Sequence, residues 1–259
     1  MRIALGIEYD GRDFSGWQAQ IGLRTVQSCL EEALSKIADE PIKLFCAGRT
    51  DAGVHATGQV VHFDTNAIRS EKAWILGTNT HLPSSIAVNW ALPISDEFHA
   101  RFSAISRRYR YIIYNNKVRP AILSSRVTWQ YRPLQVELMQ EAANYFLGEH
   151  DFSSFRSTRC EAKSPIRHIS LLKITRENDF IFIDIQANAF LHHMVRNIAG
   201  LLMKIGSGHE KPSWAAEVLK AKDRRAAADT AAAAGLYLVQ VGYPEPYLFP
   251  QSRAFFASL

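Results

Sequence analysis

The order of hydrophobic patterns predicts an α+β fold made of two ferredoxin-like (RRM-like) halves with antiparallel sheets. In the first half the patterns run strand, helix, strand, strand, helix, strand, which is the order of a split β-α-β unit. The pattern restarts near Phe102 with a strongly β-like run, and the chain reaches a last strand after Gly235. We therefore predict an N-terminal α+β domain at residues 1–103 and a C-terminal α+β domain at residues 104–259. No linker of distinct composition marks this boundary.

The first half supplies six predicted elements. Thr25 is a candidate N-cap because apolar residues recur after it at helical spacing to about Asp39. Period-2 alternation or short apolar runs predict the strands. The elements are strand Arg2–Tyr9, the helix after Thr25, strands Ile42–Ala47 and Gly58–Thr65, a helix from Glu71 to about Thr78, and strand Ile86–Leu92.

The second half is read in the same way. Gly148 is expected to end a helix, and Asn178 with Asp179 to form a hairpin turn. The elements are strands Ser106–Tyr114 and Arg126–Arg132, helix Val136–Leu147, a loop at His150–Ser164, strands Arg167–Arg176 and Phe180–Ala187, helices Leu191–Ile205 and Pro212–Ala221, and strand Leu236–Tyr243.

Composition narrows the class of protein. A chain of 259 residues with 47% hydrophobic and 21% charged residues is typical of a soluble globular protein. No apolar run reaches the ~18 residues that a membrane helix needs, and Met1 opens directly into a strand pattern without a leader, so we expect a cytoplasmic protein. The cysteines, Cys29, Cys46 and Cys160, form no Cys-x-x-Cys pair, which argues against a disulfide framework or a zinc site.

Charge is distributed unevenly along the chain. Between Arg101 and Val136 there are eight basic residues and no Asp or Glu, with aromatic residues such as Tyr109, Tyr111 and Trp129 interleaved. Cations that neutralise phosphates, mixed with rings that stack on bases, are typical of surfaces that bind looped or single-stranded RNA. A solvated strand face is the alternative interpretation.

One nine-residue segment, Gly48–Ala56, combines groups that a simple connecting loop does not need. It places Arg49 two residues before Asp51, between two predicted strands. In extended backbone these two side chains point the same way, so the guanidinium is expected to hold the acid ionised and oriented. Gly48 and Gly53 would allow a tight turn or close approach to a ligand. A surface ion pair that caps a hairpin is the alternative.

The segment Gly48–Ala56 resembles the catalytic-aspartate motif of the TruA family of tRNA pseudouridine synthases. The resemblance extends over nearly the whole chain, although nothing reliable matches beyond Pro244, and Ala232 stands where many members have proline. Its further motifs are Asp10-Gly11, Phe14–Gln18, Arg107–Tyr111, Cys160–Ile169, Asn188–Asn197 and Gly235–Leu238.

The resemblance implies an isomerase that converts uridine to pseudouridine in the anticodon stem-loop of tRNA, at tRNA positions 38–40. It implies no cofactor, a homodimer with tRNA as partner, and two sheets that merge into one extended sheet with the catalytic cleft between the domains. The implied catalytic residues are Asp51, Arg49, Tyr109 and Arg196. The implied substrate-binding residues are Tyr109, Leu236, Arg107, Arg108 and Arg110.

These residue types suit the chemistry. The target base must leave its stack, and a carboxylate must act as nucleophile or base, which we assign to Asp51. Arg49 would orient Asp51 or fill the gap left by the flipped nucleotide, and Arg196 would be a second ion partner. Tyr109 would stack on the base and handle a proton at C5, and Leu236 would supply an apolar pocket wall.

Two rival functions remain at the level of sequence. A catalytically silent RNA-binding module would also carry basic and aromatic strands, but binding alone does not need Asp51, which repels phosphate. A metal-dependent hydrolase would need three or four convergent ligands. His192 and His193 are adjacent and would diverge on a helix, and His55 and His62 have no evident third ligand, so we expect no metal site.

Overall fold

The computed structural model describes residues 1–158, 160 and 162–250, and the fold is α+β. Glu161, within one of the motifs above, and residues 251–259 of the predicted second domain lie outside the described residues. The chain divides into two compact units. Unit 1 contains Met1–Ile105 together with the chain from Tyr237 onward, and unit 2 contains Ser106–Leu236. The sequence-based division placed everything after residue 103 in the second domain. In the structure the last strand, from Tyr237 onward, instead belongs to unit 1, where it is hydrogen-bonded to an N-terminal strand.

Unit 1 is a sheet with helices packed against it. Its elements are β1 (Arg2–Tyr9), α1 (Val26–Ala38), β2 (Phe45–Cys46), β3 (His55–Asp64), a π-helical turn (Ala73–Gly77), α2 (Thr78–His81), β4 (Ile86–Ile94) and β10 (Leu236–Gly242). The strand order is β4-β1-β3-β10, and β2 pairs with β3. β1, β2, β3 and β4 pair antiparallel, whereas β10 runs parallel to β3. The expected purely antiparallel sheet is therefore wrong, and the sheet is mixed.

Helix α1 forms as its sequence predicts. The Thr25 hydroxyl accepts a hydrogen bond from the Ser28 backbone and the Ser28 side chain caps Thr25 in return, which satisfies two donors at the helix start. The helix ends at Ala38, and Asp39 caps it in the left-handed conformation. Leu30 and Leu34 are fully buried on its inner face.

The strand expected at Ile42–Ala47 shortens to the two residues of β2. Side chains of α1 supply the reason, because the Ile42 amide donates to the Ser35 hydroxyl at 2.9 Å and the Leu44 amide donates to the Glu31 carboxylate at 2.9 Å. These backbone groups are thus satisfied without a neighbouring strand.

Unit 2 contains the remaining strands and the longest helix of the C-terminal half. Its elements are β5 (Ser106–Asn115), β6 (Thr128–Gln130), α3 (Val136–Ala143), β7 (Gly148–Asp151), β8 (Ile166–Glu177), β9 (Phe180–Ala187), α4 (Met194–Gly206) and α5 (Trp214–Ala221). The strand order is β5-β9-β8-β7, and β6 pairs with β5 in parallel. The sequence predicted a loop where β7 lies, because its polar residues show no alternation of hydrophobicity.

Of two turn predictions in unit 2, one is confirmed, since Asn178 adopts φ +52° in the β8–β9 hairpin. The other is wrong, because α3 ends at Ala143 and a 3₁₀ turn covers Asn144–Phe146. Gly148, with φ +89°, is instead the first residue of β7. None of the helices in the described ranges is both long and apolar enough to cross a membrane.

Candidate active site

The Asp51 loop is a tight turn and not an extension of a strand. The Val54 amide donates to the Asp51 carbonyl at 3.1 Å, which closes a four-residue turn from Asp51 to Val54. Gly53 occupies the third position with φ +77°, a conformation that glycine adopts without steric cost. The Asp51 side chain is half-buried at the start of this turn.

A second segment of unit 1 clamps the Asp51 loop. Gly16 has φ +91°, and a Cβ atom there would lie 2.9 Å from the Thr50 carbonyl oxygen and 3.3 Å from the Asp51 carbonyl carbon. The Trp17 amide donates to the same Thr50 oxygen at 3.0 Å. The Phe14–Gln18 motif therefore fixes the backbone that carries Asp51. The sequence did not reveal this role, because spacing alone does not show which backbones come into contact.

Side chains on β1 and β3 complete the clamp. The Tyr9 hydroxyl at the end of β1 lies 2.8 Å from the Thr50 hydroxyl in a buried hydrogen bond. The Gly11 amide donates to Nδ1 of His55 at 3.1 Å, and the His55 ring stacks on Tyr237 with centroids 4.6 Å apart. Both ends of the loop are thus anchored to the sheet of unit 1.

The backbone around Arg49 differs from the extended conformation that the sequence suggested. The Arg49 side chain is exposed. Because β3 begins only at His55, the alternation of a strand does not apply to residues 49–51. Strand geometry therefore gives no support to the pairing of Arg49 with Asp51, which stays a prediction.

The predicted site residues on strand β5 of unit 2 alternate between the two faces of the sheet. Tyr109 and Tyr111 are buried, with Tyr109 only 8% exposed. The Tyr109 ring meets Phe190 edge-on, with centroids 5.1 Å apart and planes at 88°. This contact fixes the tilt of the ring.

The alternate residues, Arg108 and Arg110, share one buried acid, Asp184 on β9. Arg110 contacts both carboxylate oxygens through Nε at 3.1 Å and through its terminal nitrogen at 2.9 Å, and Arg108 contacts Asp184 at 3.2 Å. Arg110 also lies over the Phe182 ring. Asp184 was not predicted, although its place in an otherwise apolar strand was a signal. Arg107 instead donates to the Asn188 carbonyl at 3.1 Å.

Arg196 lies in the first turn of α4, held to the segment before β10. Its Nε donates to the Ala231 carbonyl at 2.8 Å, and its own carbonyl accepts from the Ala231 amide at 3.1 Å. Gly200 makes this approach possible, because a Cβ there would overlap the Asp229 carbonyl. Burial raises the pKa of Tyr111, while hydrogen bonding to Thr128 and the charge of Arg196 act in the opposite direction.

The remaining predicted groups also lie in unit 2. Leu236 is the last residue of unit 2 and the first of β10, where it is buried. His192 and His193 precede α4 and are not part of a helix, and His193 has φ +65°. Their ring centroids are 4.1 Å apart. The prediction that His192 and His193 diverge on a helix is therefore wrong.

A rigidly held aspartate, a fixed tyrosine and basic strands are features of an enzyme that acts on RNA. Residues 6–103 and 142–244 match the family model described as tRNA pseudouridine synthase. The chain belongs to the tRNA pseudouridine synthase family, a family of isomerases. The matched residues leave out 104–141, which include Tyr109.

Relatives extend the likeness across that gap. The chain is 57% identical over 250 residues to tRNA pseudouridine synthase A of Alcanivorax borkumensis, covering 96% of this chain and 94% of that protein. It is 58% identical over 251 residues to the enzyme of the same name from Pectobacterium atrosepticum, covering 97% and 89%. It is 57% identical over 250 residues to that of Escherichia coli K12, covering 96% and 93%.

Similarity to one solved structure is weaker than similarity to these relatives. A chain from a crystal structure of a Cbf5-Nop10-Gar1 complex aligns with a TM-score of 0.37 and 10% identity, covering 92% of this chain and 59% of that chain.

Proposed function

We propose that this protein converts uridine to pseudouridine in the anticodon stem-loop of tRNA, at tRNA positions 38–40. The observation that carries the proposal is the fixed Asp51 loop, whose backbone is held by Gly16 and Trp17. A tRNA-binding protein without activity has no use for a carboxylate held so firmly. The identity of 57–58% to enzymes named tRNA pseudouridine synthase A supports tRNA as the substrate.

The reaction requires a positioned carboxylate. The bond from ribose C1′ to N1 breaks, the uracil turns, and a new bond forms from C1′ to C5. The hydrogen on C5 leaves as a proton, and N1 gains one, so the product is an isomer of the substrate. Asp51 would attack the sugar, attack the base or remove a sugar proton. Each route needs the carboxylate fixed close to its target atom.

We propose that groups of unit 2 complete the site. In this proposal the site admits a nucleotide that has left its stack. Tyr109 stacks on the target uracil and handles the C5 proton, Leu236 forms an apolar wall, and Arg196 is an ion partner of Asp51. The fixed tilt of the Tyr109 ring and the anchored Arg196 side chain support these roles.

The arginines outside this centre are assigned to RNA binding. Arg49 is exposed, so we propose that it enters the space vacated by the flipped nucleotide. Arg107, Arg108 and Arg110 would face the phosphate backbone, and two of them are already held in place by Asp184. A homodimer would present such surface from both subunits, and no metal or other cofactor takes part.

Tritium release tests this proposal. Unmodified tRNA labelled with tritium at uridine C5 is incubated with the protein in the presence of a chelator, and label in water is measured. We expect stoichiometric release by the wild type. The variant Asp39→Asn, the matched control for Asp51→Asn, should release as much label, because Asp39 lies at an exposed helix end where Asn tolerates the left-handed conformation. Absence of release by the wild type, with tRNA bound, would refute the proposed function.

A further inference from the structure

Unit 1 displays aromatic rings beside its short strand β2 that the proposed chemistry does not use. Phe45 on β2 is 40% exposed, and Phe102 is 76% exposed. The ring of His99 links them, with its centroid 5.5 Å from that of Phe45 and 4.3 Å from that of Phe102. Large rings held at the surface in a row are characteristic of an interaction site.

The segment that carries Phe102 is fixed by two histidines. Nδ1 of His99 accepts hydrogen bonds from the amides of Arg101 at 3.1 Å and Phe102 at 3.3 Å, and Nδ1 of His62 accepts one from Ala100 at 3.1 Å. Burial lowers the pKa of His62 to about 4, so near neutral pH its lone pair is available to accept. The exposed ring therefore keeps its position before any partner binds, which reduces the entropy lost on binding.

Each exposed ring also has a cation against it. Nζ of Lys43 lies 5.9 Å from the Phe45 centroid, and the guanidinium carbon of Arg101 lies 5.5 Å from that of Phe102. The nearby carboxylate of Asp64 is hydrogen-bonded by Arg2 through both oxygens. Rings that stack on bases, next to cations that meet phosphates, fit single-stranded or looped RNA.

We propose that the Phe45–Phe102 surface, formed by Lys43, Phe45, His99, Arg101 and Phe102, binds unpaired nucleotides of the tRNA substrate. Bases stack on Phe45 and Phe102, and phosphates contact Lys43 and Arg101. The inference rests on the proposed function, which supplies the tRNA. A second copy of the chain fits less well, because the centre of a protein interface is depleted of lysine and two like-charged surfaces would face each other.

Equilibrium binding of unmodified tRNA, single-stranded oligouridine and a fully paired RNA duplex tests the inference. We expect Phe102→Ala to weaken binding of tRNA and oligouridine by about fivefold or more, with duplex binding unchanged and Phe102→Trp close to wild type. Lys43→Gln should reduce the slope of log K against log salt by about 0.7, the loss of one phosphate contact. Leu76→Ala and Lys36→Gln, matched changes at exposed positions elsewhere in unit 1, should have neither effect.

The outcomes separate this inference from the proposed function. Wild-type affinity and salt slope in both Phe102→Ala and Lys43→Gln, with tritium release intact, would overturn the surface and leave the enzyme assignment standing. A change in oligomeric state by sedimentation without a change in RNA affinity would also overturn it, because the surface would then be a contact between copies. Absence of tritium release by the wild type would refute the proposed function, whatever the binding data show.

Discussion

Gly16 and Thr50 meet through their backbones, and this contact fixes the position of the catalytic candidate Asp51. A side chain on Gly16 would lie 2.9 Å from the Thr50 carbonyl oxygen, and φ at Gly16 is +91°. The aspartate is thus held by a segment about 35 residues earlier in the chain.

Replacement of Gly16 by alanine should impair catalysis more than RNA binding. The added Cβ would push the Thr50–Asp51 backbone away, and we expect kcat to fall at least tenfold, since a shift of ~1 Å costs about 100-fold in rate. Gly22→Ala is the matched control, because Gly22 has φ +76° and a Cβ added there would have nothing within 4 Å. Equal effects of the two substitutions on kcat would show that backbone strain alone, and not the contact with Thr50, is responsible.

The buried hydrogen bond between Tyr9 and Thr50 should contribute to the same rigidity. Tyr9→Phe removes one partner and leaves the other buried, so we expect a loss of about 1 to 2 kcal/mol in the free energy of unfolding, measured with urea. Thr50→Val should cost a similar amount. The loss of unfolding free energy in the double variant should be smaller than the sum of the losses in the two single variants. Strict additivity would show that the two hydroxyls do not interact.

Asp184 should be a stabilising residue of unit 2. Asp184→Ala leaves two half-buried guanidinium groups without their shared acid, and we expect a loss of about 2 to 4 kcal/mol in the free energy of unfolding. Asp223→Ala, which breaks the exposed pair with Arg225, is the comparison and should reduce the free energy of unfolding much less, because water screens the exposed pair. Equal losses in the free energy of unfolding for the two variants would mean that the burial of Asp184 does not strengthen its contribution to stability.

His62 should make the protein less stable in mild acid. Its pKa is about 4 in the folded protein against an ordinary value of 6.5, so the contribution to stability is complete above pH 6.5 and is lost as the pH falls toward 4. The loss should reach about 3 kcal/mol.

Substitution separates His62 from the carboxylates that titrate in the same range. The difference in unfolding free energy between wild type and His62→Gln, which keeps an acceptor but does not titrate, should shrink across this window. The same change at exposed His168 is the matched control and should leave the pH profile of the wild type unaltered. A constant difference between wild type and His62→Gln would contradict the account.

Local patterns determined much of the fold in advance. β1, β9 and the start of α1 at Thr25 are confirmed, because alternation and capping are properties of neighbouring residues. The short β2 was not predictable, since Glu31 and Ser35 of α1 satisfy its flanking backbone groups from a distance in sequence. The parallel pairing of β10 with β3 is likewise a property of the tertiary structure.

For the site, the residue types were predictable, but their supporting contacts were not. The motif around Asp51 identified the loop, while the role of Gly16 depends on a contact with a distant backbone. The pairing of Arg49 with Asp51 was inferred from strand geometry that the loop does not adopt. Asp184 was missed because its partners lie more than 70 residues away.

The single-turnover rate of pseudouridine formation with tRNA at saturation, compared between wild type and Asp51→Asn, tests the central claim most directly. Asn keeps the shape of the side chain and removes its charge, so binding measured in the same samples should persist while conversion at tRNA positions 38–40 falls by at least a thousandfold, consistent with the loss of a nucleophile or base. Conversion by Asp51→Asn at the wild-type rate would remove Asp51 from the mechanism and contradict the account.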